Sequence, residues 1–354
     1  MNPSVCLIVG DDHTLHCGVK DYAVQLGKAL EKIGLSAEVW APQDWGVRSF
    51  LQFCAKLQQR KFDILHLQYP SIGHRKSLCP HIIGKMRAAK GVVVTLHEYS
   101  AMPLLQRAST HLFRWTADQL LFTTETEQMR YGRSGVTQRV IHIGSNVPAA
   151  SSDLPRTPTI LYFGQIRPEK GIEEFLELAR RSLQLTRPFK FQIIGSVPLR
   201  RADYYQAVRA TSVPEVEWLI DLPFEQIAQR MAASLAAYLP FPDGASNRRG
   251  SLLAALTNGL PAITKVGTAT PHDMIGALLP ANNPGEALAH IERLYVSPAE
   301  AHTLGCAGRT YAQKFSWTEI ARQHEQVYNQ TLSLAQASLQ GAASRIPPYA
   351  ERRP

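Results

Sequence analysis

The sequence predicts an α/β protein made of two doubly wound domains, each a parallel sheet covered by helices on both faces. Three observations predict it. Short, uninterrupted apolar strands alternate with helical periodicity through the first half of the chain. The alternation stops in residues 148–158, which carry three prolines and no periodicity. It then restarts. At 354 residues the chain is long enough for two ordinary domains.

The first strand is Val5-Cys6-Leu7-Ile8-Val9-Gly10, identified by its length and β-branching. It lacks a basic leader and a small-residue cleavage site, so it reads as a strand and not a signal peptide. Tyr22, Val24, Leu26, Leu30 and Ile33 give helical spacing over residues 21–33, and Gly34 stops the helix. A strand at 37–40, a helix at 50–57 and a strand at 63–68 follow. Residues 82–89 read as a helix closed by Gly91, and 92–97 as a parallel strand. Further strands fit 119–123 and 140–143. Beyond the proline-rich connection, strands fit 159–163, 189–194, 216–219, 235–239 and 262–264. Helices fit 173–182, 204–210, 224–233, 251–257, 284–296, 298–315 and 318–334. The tail from residue 335 is Ala/Ser-rich, then Arg/Pro-rich, and is expected to fray.

Composition narrows the class. Hydrophobic residues make up 45% and charged residues 19%, a globular balance. No apolar run reaches the length of a membrane span. Cys6, Cys17, Cys54, Cys79 and Cys306 are odd in number and form no C-x-x-C pair. That argues against a zinc site or disulfide framework and fits a reducing cytosol. The net charge is +9, with the excess mostly in the first 150 residues. Such a balance suits phosphorylated substrates or anionic lipid. Zinc-finger spacing and an aromatic RNP-like strand are both lacking, so nucleic acid is not an expected partner.

The segment Ile160-Leu161-Tyr162-Phe163-Gly164-Gln165-Ile166-Arg167-Pro168-Glu169-Lys170-Gly171-Ile172 carries the clearest chemistry. A strand ends at a glycine, a short cationic loop follows, and a helix begins. That arrangement holds anions, usually phosphate. Gly18 lies between the first strand and first helix, where backbone N–H groups can also meet an anion. No G-x-G-x-x-G follows that strand, which argues against a dinucleotide cofactor.

The segment from Phe163 to Ile172 resembles the G-R-x-x-x-x-K-G loop of retaining family-4 glycosyltransferases. Gly259-Leu260-Pro261-Ala262-Ile263-Thr264 resembles that family's G-x-P-V-V strand entry. Phe315-Ser316-Trp317-Thr318-Glu319-Ile320-Ala321 with Val327-Tyr328 is similar to its closing F-S-W helix. Gly18-Val19-Lys20-Asp21-Tyr22 resembles its N-terminal glycine loop, and Thr95-Leu96-His97-Glu98 its T-x-H-[DG] strand end. The five segments run in family order from about residue 10 to about residue 330.

The resemblance implies a GT-B fold: two Rossmann-like domains facing an interdomain cleft, with a C-terminal helix crossing back to the N-terminal domain. Residues 1–148, with a helix at about 318–334, would bind the acceptor; 149–317 would bind the donor; 335–354 would be a flexible tail. The implied reaction moves a sugar, with retention, from a nucleotide-diphosphate donor to a glycan or lipid-linked acceptor, in surface polysaccharide or glycoconjugate synthesis. Breaking the anomeric bond leaves negative charge on the departing diphosphate, which fixed donors must stabilise. Lys170 supplies a point charge, and Gly164 and Gly171 allow close backbone approach. His97 is implied at the donor sugar, with Glu98 toward the acceptor hydroxyl. No cofactor or metal is expected: the D-x-D triad that holds metal–diphosphate in the other large glycosyltransferase fold is absent, and cationic side chains would replace it.

Two departures stand out. The family carries Arg where this chain has Gln165, and Arg167 is the candidate substitute. The family's E-x7-E carboxylates fall on Ser246 and Ala254. The polar loop Ser246-Asn247-Arg248-Arg249-Gly250-Ser251 still enters a helix whose N-terminus can hold phosphate, and Asp243 is the candidate replacement carboxylate. The missing carboxylates keep two alternatives open: a catalytically degenerate GT-B subunit supporting a partner, or another GT-B reaction such as sugar-nucleotide epimerisation. The basic, partly apolar runs at residues 74–90 and 104–115 suit an anionic membrane. The expected location is therefore cytoplasmic, peripheral at the inner membrane face.

Overall fold

A computed structural model describes residues 2–11, 17–74, 77–150, 154–186, 189–198 and 201–343. Arg75 and Lys76 of the first basic run, residues 151–153 of the proline-rich connection and residues 344–354 of the tail lie outside the described residues. The chain divides into two units, Met1–His142 with Trp317–Pro354, and Ile143–Ser316.

The first unit runs β1 (Ser4–Ile8), α1 (Gly18–Lys32), β2 (Ser36–Trp40), α2 (Val47–Arg60), β3 (Phe62–Tyr69), β4 (Ala89–Leu96), α3 (Leu104–Thr110), β5 (Gln119–Phe122), α4 (Glu125–Tyr131) and β6 (Thr137–Val140). Its strands form a parallel sheet of order β2-β1-β3-β4-β5-β6. Side-chain alternation sorts the two faces. Leu65, Leu67, Val92, Val94 and Leu96 pack with Phe50, Phe53 and Leu57 of α2. His66, Gln68 and Thr95 take the opposite phase along β3 and β4 and are also buried.

The second unit runs β7 (Thr157–Phe163), α5 (Ile172–Ser182), β8 (Lys190–Gly195), α6 (Ala202–Ala210), β9 (Val216–Ile220), α7 (Phe224–Ala233), β10 (Ser234–Leu239), α8 (Gly250–Thr257), β11 (Ala262–Thr264), β12 (Leu278–Pro280), α9 (Pro284–Val296) and α10 (Pro298–Ala312). Its parallel sheet has the order β12-β11-β10-β7-β8-β9. The central strands are apolar on both faces: all six residues of β10 are buried.

The last helix, α11 (Trp317–Ala343), belongs to the first unit and packs on α1 and β4. Trp317 opens it and lies 5.3 Å from the Tyr22 ring. Tyr328 Oη is 2.7 Å from His66 Nδ1, and Gln119 Nε2 donates to Thr331 Oγ1 at 2.9 Å.

Three expectations are corrected. Residues 82–89 are not an α-helix; the chain makes a 3-10 helix over Cys79–Met86 and enters β4 at Ala89. A Cβ on Gly84 would sit 1.7 Å from the Thr116 carbonyl oxygen, so backbone meets backbone there. Gly91 closes no helix. It lies inside β4, where a Cβ would meet Thr331 Cγ2 at 2.5 Å, and its bareness admits α11. The strand expected at 140–143 is β6, Thr137–Val140, which ends where the strand was expected to begin. β12 and the short helices α3 and α4, which no expectation covered, have too few residues to show a period.

Candidate functional site

In the second unit the cationic loop follows β7. Gly164 N–H donates to the Ile194 carbonyl at 3.1 Å, and Ile166 N–H to that of Ser196 at 2.9 Å. Ile166 is fully buried and anchors the loop. Tyr162 Oη donates to the Lys170 carbonyl at 3.1 Å, fixing the far end. Gly171 then caps α5 at φ +79, and a Cβ there would lie 2.4 Å from the Pro240 carbonyl oxygen. No other residue fits that position without moving the end of β10.

The loop side chains are steadied from within. Arg167 Nε donates to Gln165 Oε1 at 3.3 Å. Gln165 is exposed; Arg167 and Lys170 are half-buried. Across from them, Arg249 is the residue before α8, and its guanidinium lies 4.6 Å from the centre of the Phe241 ring. Arg249 also pairs with Asp243, which is largely exposed. Burial and the positive charge of Arg167 both lower the pKa of Arg249. Tyr162 is pushed upward by burial and the Glu173 charge, with Arg167 and Arg249 opposing. The charges of Arg167 and Arg249 thus act on each other and on the Tyr162 hydroxyl, a like-charge interaction that an anion relieves.

The loop before α8 is held by its own bonds. Tyr311 Oη donates to Asn247 Oδ1 at 2.8 Å, and Ala245 N–H donates to the Lys265 carbonyl at 2.8 Å. Arg249 N–H donates to the Ser246 carbonyl at 3.0 Å. Ser246, Gly250 and Ser251 are half-buried and Arg248 is exposed. Ala254, on the second turn of α8, is fully buried among Leu252, Leu253 and Leu256. Its position belongs to the core and presents no polar group. Asp243, the candidate replacement carboxylate, is paired with Arg249.

In the first unit, His97 lies one residue past β4, its N–H donating to the Tyr69 carbonyl at 2.7 Å. Its Nε2 is 2.9 Å from Gln68 Oε1, and its ring packs edge-to-face on Tyr22 at 5.0 Å. Burial, reinforced by nearby His324, pushes its pKa down to about 3, so the imidazole is neutral. With the amide oxygen accepting, Nε2 carries the proton and Nδ1 the lone pair. Glu98 is not a strand neighbour of His97. It is exposed, adopts a left-handed conformation (φ 48) and caps a 3-10 turn, Tyr99–Ala101. Gly18 is the first residue of α1, exposed, with open space where a Cβ would go. Close by in sequence, Lys20 Nζ pairs with buried Asp11 at 2.7 Å.

Sequence reasoning missed Tyr162, Phe241, Tyr311 and Gln68. Tyr162 and Phe241 look like ordinary core residues, and their roles need the distance between β7 and β10. Gln68 had a signal: a polar residue in an apolar strand two residues after His66. Among the described residues, no group of three or more His, Cys, Asp or Glu is placed to hold a metal ion. No helix among them is long and apolar enough to cross a membrane.

Residues 157–297 match the sequence profile of the glycosyl transferases group 1 family. None of the curated proteins compared matches the sequence. Among solved structures, HepE of Anabaena, in complex with UDP and glucose, aligns over 93% of this chain and 100% of its own at 16% identity, with a TM-score of 0.67. A glycosyltransferase of Rickettsia africae aligns over 94% and 99% at 12% identity, TM-score 0.71. The catalytic domain of starch synthase IV of Arabidopsis thaliana, bound to ADP and acarbose, aligns over 94% and 100% at 13% identity, TM-score 0.62. At these identities the structural likeness speaks for the fold, and the profile match speaks for the matched segment of the second unit. The chain has the GT-B fold, and its second unit carries a segment similar to the glycosyl transferases group 1 family.

Proposed function

We propose that the chain transfers a sugar from a nucleoside-diphosphate donor to a glycan or lipid-linked acceptor, retaining the anomeric configuration. The second unit holds the donor and the first unit the acceptor, on the cytoplasmic side of an anionic membrane surface. The observation that carries this is the cationic loop after β7, pinned by the Tyr162–Lys170 bond and holding Arg167 on Gln165, together with Arg249 braced on Phe241 before α8, the two guanidiniums interacting as like charges. The UDP bound in HepE and the ADP bound in starch synthase IV support a nucleoside diphosphate as the donor class, with UDP-sugars first to test.

In this reading Arg167, Arg249 and Lys170 take the charge that develops on the leaving diphosphate. Phe241 and Asp243 hold the Arg249 guanidinium in place before the donor arrives, so little rotamer freedom is lost on binding. The N-termini of α5 and α8 offer backbone N–H groups to the phosphate oxygens, and Gly164, its own N–H bonded to Ile194, puts no side chain in the way. Neutral His97, with a free acceptor nitrogen, suits a polar contact to the sugar and not a second cation. The cations take the part a divalent metal plays in D-x-D enzymes.

Fully buried Ala254 favours a second reading, a subunit that keeps the fold but has lost donor binding. Calorimetry with UDP, ADP and GDP separates them. A micromolar dissociation constant for one of the three, weakened at least tenfold in Arg167→Ala/Arg249→Ala, supports the enzyme. Heats indistinguishable from dilution for all three support the degenerate subunit.

A further inference from the structure

The first unit contains a cavity of about 490 Å³ at the C-terminal ends of β2 and β3, lined chiefly by Trp45, Val47, His74, Ser77, Leu78 and Cys79. The polar groups around it are largely occupied with one another. Ser77 Oγ donates to the Trp45 carbonyl at 2.6 Å and accepts from Cys79 N–H at 3.2 Å. Asp44 accepts from Gly46 N–H at 2.9 Å and from Ser49 Oγ at 2.5 Å, closing the first turn of α2. His74 packs between Trp45 and Tyr69, its ring centre 4.6 and 5.3 Å from theirs, and burial keeps it neutral with a pKa of about 3. Two polar groups remain in the lining, the exposed Gln43 amide and His74 Nε2, which has no hydrogen-bond partner among the described residues; the other side chains that offer surface, Val47, Leu78 and Cys79, are hydrocarbon or thiol.

The apolar lining continues outward. α2 and the 3-10 helix Cys79–Met86 run side by side, tied at one end by Ser77 to Trp45 and at the other by Gln58 Nε2 donating to the Met86 carbonyl at 2.7 Å. Along them, Val47 and Leu51 follow one another at one helical turn, and Leu78 and Ile82 lie four residues apart. Their exposures are 70, 52, 60 and 46%. Aliphatic side chains this open gain free energy when a hydrocarbon ligand covers them. The same two elements carry exposed Arg48, next to Val47, and Lys85, one 3-10 turn from Ile82. Hydrocarbon flanked by cations matches a molecule with a hydrocarbon tail and an anionic head.

We infer that the cavity and its stripe bind the aliphatic tail of an amphiphilic acceptor, whose polar end presents the hydroxyl to be glycosylated. The inference rests on the transferase reading above and specifies its acceptor as lipid-linked and not a free glycan.

The test uses the full chain with ¹³C-labelled Val and Leu methyl groups. It is titrated with methyl, octyl, nonyl and decyl β-glucosides below their micellar concentrations, and separately with UDP. Saturable shifts of the Val47 and Leu78 methyls with the alkyl glucosides but not the methyl glucoside are expected. Each added methylene should tighten binding, by at most about fourfold. Val47→Asp/Leu78→Asp, both at exposed positions, should weaken octyl glucoside at least tenfold and leave UDP unchanged. Equal binding of methyl glucoside, shifts confined to other methyls, or binding that survives the double substitution would overturn the tail site. UDP binding without alkyl-glucoside binding overturns the tail site alone; alkyl binding without UDP binding removes the transferase reading and the acceptor role with it. Flotation with phosphatidylglycerol vesicles, lost in the double variant while monomeric octyl glucoside fails to bind, would make the stripe a membrane contact and overturn the proposal.

Discussion

Arg167 Nε donates to Gln165 Oε1 across 3.3 Å. The residue standing where the family resemblance calls for an arginine is therefore the one that steadies the arginine two positions on. The bond is long and partly solvated, so its own energy is small. Arg167→Ala is expected to raise the dissociation constant for UDP at least tenfold, because it removes a charge facing the phosphates. Gln165→Ala should change it less than threefold. Calorimetry on the two variants checks the ordering, and a larger effect from Gln165 would move the role to the amide.

Gly171 has a purely steric duty. Its φ of +79 and the Pro240 carbonyl 2.4 Å from a would-be Cβ leave room only for hydrogen. Gly171→Ala is expected to cost more than about 2 kcal/mol of unfolding free energy in urea. A cost below about 0.5 kcal/mol would show that the loop and β10 are not held together as described.

Gln68 fixes the tautomer of His97 while adding no charge. Gln68→Glu would place a carboxylate at 2.9 Å from Nε2 and favour imidazolium. The His97 pKa, followed by NMR, should then rise by at least one unit, and the pH profile of turnover should move with it. Gln68→Leu should release Nε2 and mix the two tautomers, which ¹⁵N shifts resolve. An unmoved His97 pKa in both variants would contradict the assignment.

Among its described residues the first unit buries five histidines, His66, His74, His81, His97 and His324. Desolvation is the leading cause of a lowered pKa in each: His74 and His97 fall to about 3, His324 to about 4, His66 well below its solution value and His81 below it. Between pH 6.5 and these values the unfolded chain takes up protons that the folded chain does not. Stability is therefore full above pH 6.5 and is lost as the pH falls, by up to about 1.4 kcal/mol per pH unit for each ring. Urea unfolding at pH 7, 6 and 5 should show a loss of several kcal/mol. A flat profile would mean that these rings are hydrated and able to charge.

The parallel sheets were readable because strands buried on both faces leave continuous apolar runs, and β11, α7 and α9 fall where the periodicity puts them. The 3-10 helix at Cys79–Met86 was not readable, since its cause is a distant backbone, that of Thr116 against Gly84. His97 was visible at a strand end. Its partner Gln68 needed the register Gln68↔Thr95 between β3 and β4. Arg249 was visible as a charge before a helix, while Phe241 beneath it and Arg167 opposite it required two strands to be neighbours. Local chemistry, in short, shows in sequence where one segment supplies it, and stays hidden where two segments share it.

If cations stand in for metal, excess EDTA should leave turnover within twofold of its untreated value. A loss of more than tenfold, restored by Mg²⁺ or Mn²⁺, would contradict that part of the account.

The central claim is retaining transfer from a nucleoside-diphosphate sugar held at Arg167 and Arg249. Time-resolved ¹H NMR of UDP-α-glucose and a small panel of other UDP-sugars, incubated with the protein and octyl glucoside, tests it most directly. The account predicts release of UDP with the first product anomeric signal in the α configuration, and at least a tenfold loss of rate in Arg249→Ala. A β-configured first product, or no UDP release from any donor by the wild-type chain, would contradict it.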